Sequence, residues 1–167
     1  MDVHHFFAVG VSYKTANIDF RGRFSLNDSQ LHALFLEAKS LDIKDLLVIN
    51  TCNRTELYAW VKDAEQLVNL LCNHSDGDTA FFNQVGYTLQ NEVGFNHLFR
   101  VGTGLESQIL GDFEIIGQIK KGFYRSKKMG LAGGSMERLT NAVIQASKRI
   151  KTETEISSGA TSVAFAS

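Results

Sequence analysis

The sequence has no proline, only two cysteines and almost no net charge. An average composition would give about eight prolines in a chain of this length. Two cysteines without a signal peptide favour free thiols in a reducing cytoplasm over disulfides. No apolar run approaches the roughly 20 residues of a membrane-spanning helix, so no membrane association is expected. A net charge of -1 neither requires nor excludes nucleic acid, because local patches matter more than the total.

The residues that are present describe an ordinary folded domain. Hydrophobic residues make up 44% of the chain and charged residues 21%, which is typical of globular proteins. The length of 167 residues allows one domain, or one domain with an appendage. We therefore expect one folded unit with a substantial core, and not a disordered chain.

The first half of the chain alternates between strand and helix patterns. Strand-like runs cover 6–13, 46–49 and 57–61, and helical patterns cover 25–41 and 63–73. Ser25, three residues before Asp28, is the predicted N-cap of the first helix. This β-α-β-β-α succession predicts an α+β domain.

The second half has helical patterns at 93–102, 110–129 and 136–151, after a polar loop at 73–79. Periodicity therefore predicts three strands and about five helices. The sequence ends within the apolar segment 162–167, from which we expect the chain to be a piece of a longer protein.

A seven-residue polar segment, 50–56, separates two predicted strands and surrounds Cys52 with hydrogen-bonding side chains. Connections between paired strands are usually two to five residues long, and longer ones tend to be functional. The Arg54 guanidinium would stabilise a reactive Cys52 thiolate, or would bind the carboxylate of an acidic substrate. Cys52 is therefore a candidate nucleophile, with an unreactive loop thiol as the alternative.

Two further residues of catalytic type lie in apolar surroundings. Cys72 ends the apolar run 67–72 and is predicted to be a small core residue. His97 lies between Phe95 and Leu98, so it is either a partly buried structural histidine or a general acid or base near the thiol. The other histidines have no ligand spacing with either cysteine, and we predict no metal site.

Neither glycine-rich segment predicts a dinucleotide site. Gly102 and Gly104 lack the third glycine of the fingerprint and follow no strand, and segment 130–134 follows a helix instead of opening one. Two basic runs, 120–128 and 148–151, either complement the dipole at a helix C-terminus or contact RNA phosphates.

Four segments in order resemble the glutamyl-tRNA reductase family, and the resemblance covers nearly the whole chain. The most specific is Asn50-Thr51-Cys52-Asn53-Arg54-Thr55-Glu56-Leu57-Tyr58, which is similar to that family's active-site signature. The other segments are 9–16, then 97–101 with 104–111 and 117–120, and finally 148–154 with 162–166.

The resemblance implies a fold and a domain arrangement. The fold is α+β, with a ferredoxin-like antiparallel sheet and two packed helices, followed by a helical subdomain. A fourth strand is then expected near 81–87. The implied catalytic domain covers 1–155, and 156–167 would begin a linker helix. The family's NADPH-binding and dimerisation domains would be absent from this chain.

The resemblance also implies a reaction. In this family a cysteine at the position of Cys52 attacks the ester carbonyl of glutamyl-tRNA. NADPH, bound by a domain outside this chain, then reduces the glutamyl thioester to glutamate-1-semialdehyde, the precursor of 5-aminolevulinate and tetrapyrroles. The implied partners are glutamyl-tRNA, glutamate-1-semialdehyde aminomutase and the second subunit of a homodimer.

Site residues follow from the resemblance position by position. The implied catalytic residues are Cys52 and His97, and the implied substrate-binding residues are Thr51, Arg54, Ser107, Asp112 and Gln118. Arg54 would bind the carboxylate of the glutamyl group. The resemblance does not fix whether His97 acts in acid–base chemistry or in structure. The alternative function is a tRNA-binding or regulatory module in which the cysteine is incidental.

Two departures from the family pattern replace a proline. Asn17 stands where proline usually follows Lys-Thr-Ala, and Leu110-Gly111-Asp112-Phe113-Glu114 replaces Leu-Gly-Glu-Pro-Gln. Asp112 keeps a carboxylate that is one methylene shorter. Phe113 removes a helix-starting proline and is expected to affect where the following helix begins.

Overall fold

A computed structural model describes residues 3–108 and 113–166, with side chains described as far as residue 155. Within this part of the chain, four strands form one antiparallel sheet and seven helices surround it. The predicted α+β class is confirmed. The strands are β1 (His5–Ser12), β2 (Leu46–Asn50), β3 (Arg54–Val61) and β4 (Tyr87–Gln90). The helices are α1 (Ile18–Gly22), α2 (Asp28–Ser40), α3 (Ala64–His74), α4 (Thr79–Val85), α5 (Glu92–Gly102), α6 (Glu114–Lys128) and α7 (Gly134–Ala166).

The sheet has the strand order β2-β3-β1-β4 and is covered on both faces. Phe7, Val9 and Val11 of β1 join one core with residues of α2 and α3. Phe6 and Ala8 face the opposite way, into a second core with residues of α5, α6 and α7. Because successive side chains of a strand point to opposite faces, burial of both faces requires the continuous apolar runs seen in the sequence.

The N-cap of α2 is Asn27, so the prediction of Ser25 is wrong. The Asn27 side chain accepts a hydrogen bond from the Gln30 N–H at 2.8 Å, and the Gln30 side chain accepts one from the Asn27 N–H at 2.8 Å. This reciprocal capping box satisfies two helix-end donors at once. The Ser25 hydroxyl instead donates to the Gly22 carbonyl at 3.0 Å.

The fourth strand lies later in the chain than predicted. Residues 81–85 of the expected segment belong to α4, because Asp78 accepts a hydrogen bond from the Phe81 N–H at 2.7 Å and caps the helix. Phe81 and Phe82 then pack on Phe24 at ring-centroid separations of 5.7 and 5.8 Å. β4 begins at Tyr87 and pairs with β1.

The polar stretch after β1 contains a helix, α1, that the sequence pattern does not predict. Asn17 is its N-cap and accepts a hydrogen bond from the Phe20 N–H at 2.8 Å. The residue that replaces the family's proline therefore begins this helix by capping it.

The connection between β2 and β3 is shorter than the predicted seven residues. β2 continues through Asn50 and β3 begins at Arg54, which leaves the three residues 51–53 between the strands. Arg54, Thr55 and Glu56 are buried strand residues. The prediction of a wholly polar loop is wrong because these side chains are satisfied inside the protein.

Helix α6 is fixed to β2 at its C-terminal end. Gly130 adopts a left-handed conformation (φ 75°), and the Leu131 and Gly130 N–H groups donate to Ser126 and Lys127 in a Schellman motif. The Ser126 hydroxyl donates to the Leu46 carbonyl at 2.5 Å. At the other end, Phe113 makes no side-chain capping bond and helical residues begin at Glu114.

Helix α7 runs without a break from Gly134 to Ala166, through and beyond the helix predicted at 136–151. The Asp45 side chain accepts hydrogen bonds from the N–H groups of Gly133 (2.6 Å) and Met136 (3.3 Å), which satisfies donors at the start of this helix. None of the helices described combines the length and apolar character that crossing a membrane requires.

The contact between β1 and β3 requires glycine at position 10. A Cβ on Gly10 would overlap the Thr55 carbonyl oxygen and lie 2.8 Å from Glu56 Cα, and neither backbone atom can move freely. We expect Gly10→Ala to lower the free energy of unfolding in urea by roughly 1–3 kcal/mol, the cost typical of overpacking.

Gly117→Ala in α6 is the matched control, because a Cβ there meets no atom within 4 Å. Alanine is the better helix former, so this variant should gain roughly 0.5–1 kcal/mol. Equal effects of the two substitutions would contradict the close approach at Gly10.

Candidate active site

Cys52 lies at the tip of the β2–β3 hairpin with its side chain exposed. The Thr51 N–H donates to the Arg54 carbonyl at 2.8 Å, and the Thr51 hydroxyl oxygen accepts from the Asn53 and Arg54 N–H groups at 3.2 Å. The Asn53 carbonyl accepts from the Tyr13 N–H at 2.8 Å. The backbone around the thiol is therefore fixed, while the thiol itself faces solvent.

A cavity of about 130 Å³ adjoins the thiol and brings together five of the predicted site residues. These are Thr51, Cys52, Arg54, Ser107 and Gln118, and the other lining residues are Asn53, Glu114 and Ile115. Asp112 lies outside the described residues. His97 is not among the lining residues.

Glu56 is fully buried, is bonded to the cavity residue Arg54, and is the centre of a hydrogen-bonded network. Its carboxylate accepts hydrogen bonds from the hydroxyl groups of Tyr58 (2.8 Å) and Tyr87, and lies 2.5 Å from His97 Nε2. Arg54 Nη1 lies 3.4 Å from both carboxylate oxygens. Three of these residues, Arg54, Glu56 and Tyr58, share one face of β3 through its two-residue period.

The network keeps Glu56 ionised. Burial alone raises the pKa of Glu56, but the hydrogen bond and charge of His97, the charge of Arg54 and the hydrogen bond from Tyr87 outweigh it. The pKa is lowered to about 2. Burial and the neighbouring carboxylate raise the pKa of Tyr58 and Tyr87, so both remain hydrogen-bond donors at neutral pH.

Arg54 also connects the hairpin to the segment that carries Ser107. Its Nη2 donates to the Glu106 carbonyl at 2.5 Å. The Glu106 carboxylate accepts from Lys14 Nζ and Arg100 Nε, each at 2.7 Å. Burial raises the pKa of Glu106, but Lys14 and Arg100 outweigh it and lower the pKa. Ser107 is thereby held at the edge of the cavity.

Arg54 is buried more deeply than the sequence predicts, whereas His97 is partly buried, as in the structural alternative given for it. The Arg54 side chain is 3% exposed, and its two terminal nitrogens are bonded to Glu56 and Glu106 while it lines the cavity. His97 is bonded to Glu56 and its ring packs against Tyr58 and Tyr87. Among the described residues, no hydrogen bond joins His97 to Cys52.

Sequence reasoning missed Glu56, Tyr58, Tyr87 and Glu106. A signal for two of them was available, because Arg54, Glu56 and Tyr58 alternate with Thr55 and Leu57 as the two faces of a strand should. The prediction of one loop over residues 50–56 did not take this alternation into account. Tyr87 lies 31 residues after Glu56, and Glu106 lies 52 residues after Arg54. No local sequence pattern indicates that either residue contacts the hairpin.

Cys72 differs from Cys52 as the sequence predicts. It packs against the first core, and burial together with the nearby Asp78 carboxylate raises the pKa of Cys72 to about 11. The thiolate is the nucleophilic form of cysteine, so Cys72 is poorly suited to covalent catalysis at neutral pH.

The described residues do not fit a dinucleotide cofactor. Gly102 and Gly104 lie at the C-terminal end of α5, where helix carbonyl groups project, whereas a pyrophosphate is bound by N–H groups at a helix N-terminus. Within 3–108 and 113–166, no strand leads into a helix through a G-x-G-x-x-G turn.

The sequence model of the family described as "Glutamyl-tRNAGlu reductase, N-terminal domain" matches residues 9–154. The chain belongs to this family. Glutamyl-tRNA reductases of Christiangramia forsetii and Flavobacterium psychrophilum are 55% and 54% identical over 98% and 97% of the chain. The chain spans 39% of the length of each. The structure of the Methanopyrus kandleri glutamyl-tRNA reductase matches with a TM-score of 0.75 and 25% identity, over 92% of this chain and 35% of that one.

The pKa of Glu56 predicts a pH-dependent contribution to stability. The folded-state pKa of about 2 lies below the ordinary value of 4.5, so the stabilisation is present above pH 4.5 and is lost as the pH falls towards 2. Glu56→Gln should remove about 3 kcal/mol at pH 7 and flatten the dependence of the unfolding free energy on pH over this window.

The same substitution at the exposed Glu155 is the control and should change the unfolding free energy by less than roughly 0.5 kcal/mol. Urea unfolding at a series of pH values measures both variants. An unchanged acid dependence in Glu56→Gln would show that Glu56 is not the ionised centre of the network.

Proposed function

We propose that the protein is an NADPH-dependent glutamyl-tRNA reductase that makes glutamate-1-semialdehyde, in the first step of tetrapyrrole biosynthesis. This domain supplies the nucleophile and the pocket for the glutamyl group. The observation that carries the proposal is the exposed Cys52 thiol on a fixed hairpin tip beside a polar cavity. Membership of the family and the names of the relatives support the same reaction.

The chemistry assigned to this domain is acyl transfer. The Cys52 sulfur attacks the carbonyl carbon of the glutamyl ester, a C–S bond forms, and the C–O bond to the terminal ribose breaks. The ribose oxygen leaves with a proton, and tRNA is released. The glutamyl group remains on Cys52 as a thioester, whose carbonyl carbon accepts hydride more readily than a carboxylate would.

The cavity side chains suit a glutamyl group. Arg54 presents the planar guanidinium that matches a carboxylate, while Thr51, Ser107 and Gln118 offer hydroxyl and amide groups. Asp112 is assigned to the same pocket by the resemblance alone. We assign His97 a positioning role: it helps keep Glu56 ionised, and Glu56 in turn orients Arg54.

Several parts of the proposal concern the whole protein. NADPH is assigned to a domain outside this chain, since the described residues do not fit it, and hydride transfer is assigned there as well. A homodimer, a partnership with glutamate-1-semialdehyde aminomutase and a cytoplasmic location complete the proposal. The strand order β2-β3-β1-β4, with the succession β-α-β-β-α-β, supports the description of the sheet as ferredoxin-like.

Acylation of Cys52 tests the central step. Mixing the full-length protein with glutamyl-tRNA, without NADPH, and quenching in acid should give a glutamyl adduct in the intact mass. The adduct should map to Cys52 and be released by hydroxylamine. Cys52→Ala should abolish it, whereas Cys72→Ala is the matched control and should retain it, because Cys72 is a partly buried thiol that packs against the first core.

Adduct formation in Cys52→Ala at the wild-type level would overturn the proposal. Absence of an adduct in a folded wild-type protein, together with salt-sensitive tRNA binding that survives Cys52→Ala, would favour the tRNA-binding module instead.

The assignment of Arg54 predicts a change in acyl-group specificity. Lysine keeps the positive charge but lacks the planar fork that pairs with a carboxylate through two hydrogen bonds. Arg54→Lys should therefore reduce the preference for a small glutamyl thioester over its glutaminyl counterpart, by roughly tenfold for a loss of about 1.4 kcal/mol. The ratio of acylation rates measures the preference, and the melting temperature verifies folding. An unchanged ratio would remove Arg54 from carboxylate recognition.

A further inference from the structure

A second cavity, of about 140 Å³, lies beside the thiol cavity. Its lining residues come from α2, β2 and α6: Asp28, Leu31, Val48, Asn50, Gln118, Lys121, Gly122 and Arg125. Gln118 lines both cavities, and Asn50 directly precedes Thr51 of the hairpin. The two cavities are therefore neighbours on the protein surface.

The charge of this second cavity is positive and weakly neutralised. Lys121 makes no hydrogen bond or ion pair with any residue in the described part of the chain. Arg125 reaches the Asp28 carboxylate at 3.5 Å, but that carboxylate is 96% exposed. Since exposed ion pairs contribute little, two cations remain available to a ligand.

Interaction with the helix dipole does not explain why a positive charge lies at position 121. Favourable interaction of a cation with the dipole falls off within the last helical turn. Arg125, Lys127 and Lys128 lie in the last turn of α6, whereas Lys121 lies at the middle of its 15 residues. The positive charge of Lys121 therefore lies at the cavity and not at the end of the helix.

The backbone positions that carry the two cations are also fixed relative to the Cys52 hairpin. A Cβ on Gly122 would lie 2.6 Å from the Val48 carbonyl oxygen, so the backbones of α6 and β2 are in close contact. The Ser126 hydroxyl anchors the same helix to Leu46 of β2. Because β2 leads into the Cys52 hairpin, the backbone of α6 at Lys121 and Arg125 is held by the strand that positions the nucleophile.

We propose that this cavity is a phosphate subsite for the 3′ end of the RNA substrate, with Lys121 and Arg125 as its ligands. The inference rests on the proposed function, in which Cys52 attacks an ester on the terminal ribose. After the carboxylate of the glutamyl group, which is assigned to Arg54, the nearest anionic groups to that ester are the backbone phosphates of the same 3′ end. Arginine and lysine are the side chains that bind phosphate, the first as a planar fork and the second as a point charge.

Single-turnover acylation of Cys52, without NADPH, tests the subsite with two acyl donors. One donor is glutamyl-tRNA, and the other is a small glutamyl thioester that carries no phosphate. Lys121→Gln should lower kcat/KM for glutamyl-tRNA by roughly three- to tenfold and leave the rate with the small thioester unchanged. The slope of log(kcat/KM) against log[salt] should also become shallower by about one unit, as expected when one phosphate contact is lost.

Lys127→Gln is the matched control. It removes the same charge from the same helix, but Lys127 lies about 160° around the helix from Arg125, away from the cavity. Both donors should react with this variant at the wild-type rate, with the wild-type salt slope.

Three results would overturn the subsite. Lys121→Gln could react with both donors as wild type does, could slow both donors equally, or could match Lys127→Gln in rate and slope. Equal slowing would assign Lys121 to the glutamyl group instead of to phosphate. Failure of the wild-type protein to acylate with either donor would instead refute the proposed function, so the two failures are distinguishable.

Discussion

The Glu56 carboxylate, which has no access to water, determines how the elements around the second core are arranged. An ionised group in such a place is tolerated only when it is paired and hydrogen-bonded. Glu56 meets this condition through β3 (Arg54 and Tyr58), the start of β4 (Tyr87) and α5 (His97). The absence of a side chain at Gly10 lets β1 pass directly against it. Elements distant in sequence are therefore held in register by one charge, in addition to apolar packing.

This network reaches the cavity at the exposed thiol through Arg54, which is bonded to Glu56 and lines that cavity. The hairpin tip is fixed by backbone bonds to Tyr13 and Arg54, and Arg54 is fixed in turn by Glu56 and Glu106. Groups whose positions are fixed before a substrate arrives lose little entropy when it binds. A site of this kind suits a reaction in which a charged acyl group must be aligned with a sulfur nucleophile.

The sequence was informative where local pattern decides the structure, and misleading where distant partners decide it. β1, β2 and the buried face of α2 follow from apolar spacing that needs no knowledge of other segments. The burial of Arg54 and Glu56 depends on Tyr87 and His97, which lie 31 and 41 residues beyond Glu56. The strand expected near 81–87 followed from the resemblance and not from a local pattern, and the Asp78 cap and packing on Phe24 favour a helix at Phe81 instead. Five cavity residues were predictable because the family signature identifies them without geometry.

At the hairpin, a residue assigned to the reaction and a residue needed for folding lie only a few positions apart. The Cys52 side chain is exposed and contributes nothing to either core, whereas Glu56, four positions later, is fully buried. In a survey of variants scored by cellular abundance, position 52 would look as tolerant as any surface loop, while position 56 would look intolerant. Scored by activity, both would be intolerant. Abundance alone would therefore overlook the nucleophile, and the difference between the two scores would reveal it.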